Sequence, residues 1–441
     1  MLTKLGESRF MPKPIPIADA GFPAPFRSTL EFGAPARGAW NIVHTGRLLP
    51  EGHQIFVCAQ GCLRGVVLTA AEMGASGRFS TVTIEEHNVL DGDMEELIIE
   101  GVTDILQRLP KLPRAVLVYT SCVHHFMGSD LALCYDELRR RFPDVAFTDC
   151  YMNPIMRKSG ITPDALMRRQ LYSLLETREK AEKTLCILGN NIRMDDSADL
   201  KYYAGKAGRT LREIHDCGNY EEYLALAESE FAVTTQIPAK AAGADFEKRH
   251  GRKSLHLPLC YGAEEIRRCM RAFCEELGMA YDGDWDGELT AEAALSEARF
   301  VIGDAPVTVD YTATPRPLSL ARLLLEHGFR VTRIYADSFT AEEKDDYLWL
   351  REKHPGLEIW PTVAPEMRVA ERTYPEKTLA IGQKAAYFTG TPYFVNMVEG
   401  GGHYGFDGIA KLATEMREAF LNEKDAPRLI GQKGLGCSCC L

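Results

Sequence analysis

The sequence has no apolar run long enough to cross a membrane, and its first residues, MLTKLGESRFMPKPIPIADAG, lack the apolar core of a signal peptide. Both absences predict a cytoplasmic chain with no membrane partner. There is no long basic stripe either. Acidic side chains outnumber basic ones 62 to 51, a net charge of −11, which points away from nucleic acid and anionic membrane as partners. No P-loop is present, so the chain is not expected to hydrolyse ATP itself. GNN at 189–191 follows a strand-like run but lacks the spacing of a dinucleotide fingerprint.

What the sequence does have is length and cysteine. At 441 residues it can build two to four domains and a large core, so no disulfide framework is needed. Its 13 cysteines, in a reducing compartment, read as buried thiols, metal ligands or redox groups.

Residues 1–38 are rich in Pro, Gly and Ala without periodicity and read as an arm packed over the surface or against a partner chain. Beyond them, short apolar runs alternate with helical stretches, the signature of parallel α/β domains. In the block 39–180 the strands are expected at HQIFVC (53–58), FSTVTIE (79–85), RAVLVYT (114–120) and DVAFTD (144–149). In 181–297 they are expected at TLCILG, TLREI, FAVTT and SLHLPL; in 298–425 at RFVIGD (299–304), FRVTRIYA, LEIWPT, TLAIG and YFVNM. The expected architecture is three Rossmann-like parallel-sheet domains around a central cleft. Residues 426–441, ending in GQKGLGCSCCL, read as a mobile tail.

The strand map gives four cysteines a common address. Cys58 ends the first strand, Cys62 follows in CAQGC, Cys122 follows the third strand and Cys150 the fourth. In an open parallel sheet, ligands bind outside the carboxyl ends of the strands, and thiolates are the usual ligands of iron–sulfur clusters. One such cysteine reads as a small buried hydrophobe; four on one edge read as a metal site. Four thiolates also suit zinc, but the spacing matches no compact zinc-knuckle pattern. Cys134, Cys186, Cys217, Cys260, Cys269 and Cys274 fall in apolar patterns and read as packing residues. Cys437, Cys439 and Cys440 on the Gly-flanked terminus read either as a metal or thiol-exchange element or as a plain tail. Arg64 is placed to neutralise cluster charge or to form a surface salt bridge. His124 and His125 read as surface or core histidines, with proton donation or iron ligation as the rival. Gly401 and His403, in GGGHYG, read as a ligand loop or a tight turn.

These segments resemble nitrogenase component 1 subunits and their relatives, which include cofactor-assembly scaffolds and light-independent protochlorophyllide reductase. CAQGC is similar to the family's glycine-rich segment ending in a cluster cysteine, at Cys62. STVTIEEHNVLDGD (80–93), VYTSCVHHFMGSDL (118–131), TDCYMNP (148–154), GADFEKRHGRKSLHLPLCYGAEEI (243–266) and GGGHYGFDGIAKLATEM (400–416) resemble further family segments in the family's order. The resemblance covers roughly residues 40–420. It implies an iron–sulfur oxidoreductase with a 4Fe-4S or larger cluster. It also implies an ATP-dependent iron–sulfur reductase as electron donor, and a homologous subunit or second copy in a dimer or tetramer.

The departures are specific. GAPARGAWNIVH (33–44) holds no cysteine where the family has one, leaving Cys58 as the substitute. The cysteine and histidine that anchor a molybdenum–iron cofactor are missing from FAVTTQI (231–237) and FVNMVE (394–399), so dinitrogen is not the expected substrate. A second metal site in the cleft, fed by the tail thiols, is expected instead. The alternatives are a non-catalytic scaffold or carrier for metal-cluster assembly, or a binding protein that kept the fold and lost redox work.

Overall fold

The computed structural model describes residues 12–27, 33–34, 42–152, 161–181, 183–283, 285–374 and 376–431. In chain order the strands are β1 (Ile15–Pro16), β2 (Gly52–Ala59), β3 (Phe79–Ile84), β4 (Ala115–Ser121), β5 (Ala146–Met152), β6 (Thr184–Ile187), β7 (Thr210–Arg212), β8 (Ala232–Thr234), β9 (Ser254–His256), β10 (Pro306–Asp310), β11 (Arg330–Tyr335), β12 (Glu358–Trp360), β13 (Leu379–Ile381) and β14 (Phe394–Val395). They form three sheets in two compact units. One unit comprises 40–191 with 208–258; the other comprises 1–39, 192–207 and 259–441.

The first unit carries two four-stranded parallel sheets, ordered β3-β2-β4-β5 and β7-β6-β8-β9. Ile55, Phe56, Val57 and Cys58 are fully buried, as a parallel strand covered on both faces requires. The two-residue side-chain period divides them. Ile55 and Val57 join Val116, Val118 and Phe147 against Ile98, Val102 and Leu138, which lie on the helices Met94–Arg108 and Leu131–Arg141. Phe56 faces the other way and stacks on its register partner Tyr119, ring centroids 4.0 Å apart.

The second unit carries a six-stranded sheet ordered β1-β12-β11-β10-β13-β14, parallel except for β1. The arm expected to pack over the surface supplies β1, paired antiparallel to β12. Ile17 is fully buried, its N–H donates to Leu357 O at 2.8 Å, and Tyr347 Oη donates to Ala20 O at 2.5 Å. This stretch of the arm therefore covers the β12 edge, which would otherwise be open to strand pairing.

One expected strand is not a strand. RFVIGD lies at the end of the helix Trp285–Ile302, and the sheet's first parallel strand is PVTVD, Pro306–Asp310. The apolar residues follow helical spacing. Leu295, Ala298 and Ile302 are buried, whereas Phe300 is 89% exposed. Gly303, at φ +58°, ends the helix in the left-handed region.

Candidate metal centre

The carboxyl edge of the β3-β2-β4-β5 sheet brings three cysteines together. Cys58 is the next-to-last residue of β2 and is fully buried. The chain then turns directly into the helix Gln60–Glu72, whose first turn carries the exposed Cys62. β4 passes straight into the short helix Cys122–Met127, which begins with the partly exposed Cys122. Burial pushes the Cys58 thiol up to about 12. The charges of Cys62 and Cys122 push in the same direction, and a hydrogen bond with Ser121 opposes them.

Cys150 is placed differently from the expectation. β5 does not end before it: the strand runs to Met152, in register with β4 throughout, and Cys150 pairs with Tyr119 inside the sheet. It is fully buried, and burial together with Asp149 pushes its thiol well up. Cys62 and Cys122, which act on Cys58, are not among the groups acting on Cys150. Cys437, Cys439 and Cys440 lie outside the described residues.

His124 is buried beside this edge. Its Nδ1 accepts the Ser121 N–H at 3.1 Å, which leaves the ring proton on Nε2. That atom is buried without a hydrogen-bond partner among the described residues. Burial lowers its pKa against the Ser121 bond and Glu95, so the ring is neutral near pH 7. Arg64 is exposed on the helix that carries Cys62.

The glycine-rich loop that carries His403 reads in the sequence as a ligand loop or a tight turn. The His403 ring is 10% exposed, with Nδ1 2.8 Å from Asp195 Oδ2 and Nε2 3.3 Å from Glu415 Oε1. Burial opposes the charged ring, but the two carboxylates outweigh it and hold the pKa at about 9. Gly401 has φ +65°, and a side chain on Gly402, at φ +86°, would strike the Arg193 carbonyl. The glycines thus fold the loop closely against the segment that carries Asp195.

A polar group the sequence did not single out lies in the second unit. Strand order reverses between β10 and β13, the place where open parallel sheets bind ligands. At their carboxyl ends stand Asp310 and Lys384, both buried. Asp310 accepts from Thr312 N (2.7 Å), Thr312 Oγ1 (2.5 Å), Ala313 N (3.0 Å) and Ala385 N (2.7 Å). Burial lowers the Lys384 pKa against the pull of Asp310 and Asp337, and its Nζ lies 5.8 Å from the centroid of the Tyr311 ring. The available signal was IGQK directly after a strand. A lysine at a helix start ordinarily reads as a solvated one.

The donor set fits a thiolate-bound cluster. A metal ligand must be a thiolate, and burial plus like charge make that state costly at Cys58 until a cation shares the site. Among the described residues no group of three His, Cys, Asp or Glu closes around a single ion.

A family model described as nitrogenase component 1 type oxidoreductase matches residues 50–421. Similar solved structures include nitrogenase Cp1 at pH 6.5, 14% identical, with TM-score 0.65 over 90% of this chain and 94% of that one. Nitrogenase Cp1 at pH 5 is 12% identical, with TM-score 0.54 over 89% of this chain and 90% of that one. At such identities the likeness is one of fold. No curated protein matches the chain in sequence.

Proposed function

The chain belongs to the nitrogenase component 1 type oxidoreductases, and from that premise we propose that it is a subunit of a nitrogenase-like reductase. It receives electrons from an ATP-dependent iron–sulfur reductase and passes them to a substrate other than dinitrogen. The observation that carries this reading is the grouping of Cys58, Cys62 and Cys122 at one sheet edge, close enough for the latter two to act on Cys58. These three thiols would hold the cluster. When bound, an iron–sulfur cluster supplies electron transfer at a potential set by ligation, burial and hydrogen bonds. The chain's own contribution is concrete. Ser121 hydrogen-bonds to Cys58, favouring the thiolate, and the buried neutral His124, two residues after Cys122 in the chain, keeps a proton on Nε2.

A multi-iron cluster, whose ligands stand farther apart than those of one ion, suits three thiols that do not close on a single metal. Further ligands would come from a homologous chain or a second copy. Exposed apolar side chains flanking the cysteines support such a partner: Val67 and Leu68 follow Cys62 on its helix, and Phe126 and Met127 follow Cys122. Against a molybdenum-type cofactor stands Thr235 in FAVTTQI, whose hydroxyl donates to Asn190 Oδ1 at 2.8 Å. Lys384 is the group best suited to hold an anionic substrate or second ligand.

The scaffold alternative draws on Cys437, Cys439 and Cys440, which would feed a second metal site; truncation after Leu435 should then lower metal content while the Cys58 group keeps its iron. Iron and sulfide assays on anaerobically purified protein test the cluster. Spectroscopic reduction that requires both partner reductase and ATP supports the enzyme, and a cluster transferred intact to an acceptor protein supports the scaffold.

A further inference from the structure

The β3-β2-β4-β5 sheet has a second edge, the amino ends of its strands, opposite the cysteines. A cavity of about 270 Å³ opens there. Its walls come from the segments that lead into three strands: Glu51 to His53 at β2, Gly77 and Arg78 before β3, and 109–113 before β4. Pockets for drug-sized ligands begin at ~300 Å³, so this one takes something small. Arg78 is partly buried, and its guanidinium donates to the Arg47 carbonyl, which fixes it at the wall. Lys111 stands on the same wall with its side chain 83% exposed. His53 is buried there, with Nε2 2.8 Å from Ser80 Oγ. The acidic side chain on the wall, Glu51, is already held: Oε2 accepts the Tyr220 N–H at 3.0 Å, and Oε1 lies 3.4 Å from Lys111 Nζ.

We propose that this cavity is a binding site for a small phosphate monoester, with Arg78 and Lys111 on its phosphoryl oxygens and Leu109 and Leu112 against its carbon chain.

Charge selects the ligand. Among the described residues that line the cavity, Arg78 and Lys111 stand against the carboxylate of Glu51, and Arg47 brings a third cation to Arg78. Positive charge crowded at a partly desolvated wall favours an anion, which relieves the repulsion. The crowding is felt by the groups themselves. Burial and the Arg47 charge lower the Arg78 pKa, while burial and the Arg78 charge hold His53 at about 4, so the imidazole is neutral near pH 7. A phosphate monoester carries about −1.5 to −2 at pH 7 and so offsets more of this charge than a carboxylate does. Arginine offers its oxygens a planar fork of N–H donors, and lysine a mobile point charge. Lys111 can turn to the ligand at little cost, because an exposed ion pair contributes little. Glu51 does not follow it. The Tyr220 N–H holds its other oxygen, and its backbone stands at φ +52°, a conformation that a non-glycine residue keeps only where its surroundings fix it. Leu109 and Leu112, also on the wall, supply apolar contact for a short carbon chain.

The test uses the full-length protein purified anaerobically in phosphate-free buffer near pH 7. It is titrated calorimetrically with glycerol 3-phosphate, and with succinate at matched ionic strength as the carboxylate control. The expected result is saturable binding of glycerol 3-phosphate at one site per chain and much weaker binding of succinate. Arg78→Met should weaken the binding by about tenfold or more, as loss of a charge-assisted contact implies. Lys111→Met should weaken it several-fold. Arg139→Met, at an exposed arginine paired with Asp136 on the helix Leu131–Arg141, should leave it unchanged. Bound ligand should slow hydrogen exchange over 51–53, 77–80 and 109–113. The proposal is overturned if glycerol 3-phosphate shows no saturable binding, if succinate binds as tightly, if Arg78→Met and Lys111→Met both bind like the parent, or if the slowed exchange falls only elsewhere. Should Arg78→Met fail to fold, Lys111→Met, which changes an exposed side chain, still decides.

Discussion

The His403 imidazole and the Asp195 carboxylate, 208 residues apart in the chain, lie 2.8 Å from each other. With Glu415 on the other nitrogen, the contact raises the histidine from its ordinary 6.5 to about 9. A group whose folded pKa is raised stabilises the fold fully below its unfolded pKa and loses that contribution as pH rises through the folded value. His403 should therefore add about 3 kcal/mol below pH 6.5, declining towards pH 9 and beyond, at about 1.4 kcal/mol per unit. The thermal midpoints of the parent and His403→Asn should differ most near pH 6 and converge by pH 10. A difference independent of pH would show that the pair contributes packing alone.

The cysteine assignments separate by iron content. Replacing Cys58, Cys62 or Cys122 with Ala should each remove most of the bound iron and sulfide. Cys134→Ala is the control: it is fully buried in the core of the same unit and outside the group. It should keep its iron and lose about 1–2 kcal/mol of stability, the range of a small core deletion. Equal iron in all four variants would falsify the assignment.

Lys384 predicts a trade between stability and function. Its pKa is lowered by burial, so the charged form is disfavoured in the folded protein and its cost is relieved as pH rises. Lys384→Met should therefore stabilise the fold at pH 7 by about 1–2 kcal/mol, the scale of stabilising changes at strained functional positions, read as a higher denaturation midpoint. Turnover, or affinity for an anionic ligand, should fall in the same variant. Unchanged or lower stability would mean that Lys384 has a compensating partner.

Gly382 joins β13 to the helix Gln383–Thr389 at φ +106°, and a side chain there would strike the Asp310 carboxylate. Gly382→Ala should cost about 3 kcal/mol, combining backbone strain with a buried clash. Gly74→Ala, also at positive φ (+62°) but with open space around it, should cost about 1 kcal/mol, the backbone part alone. Urea denaturation of both variants measures the difference. Equal losses would mean that the Asp310 cradle can shift.

The parallel α/β pattern was legible in the sequence because it is written locally. Runs such as QIFVC and AVLVYT must be apolar on both faces, and the helices between them show their own period. For the same reason Cys58, Cys62 and Cys122 could be assigned to one sheet edge. RFVIGD misled because an apolar run at a helix end resembles a strand until its buried partners are known.

The end of β5, and so the position of Cys150, depended on β4. A strand extends for as long as its neighbour offers backbone partners, and those partners are not encoded near Cys150 itself. The pKa shifts at His403 and Lys384 were likewise decided by tertiary structure. A pKa answers to burial and to charges within a few ångströms, and folding alone carries Asp195 to His403 and Asp310 to Lys384. The sequence by itself determined which residue types stood at the strand ends. The tertiary structure decided which of them are neighbours, because electrostatic and hydrogen-bond energies depend on separation in space and not along the chain.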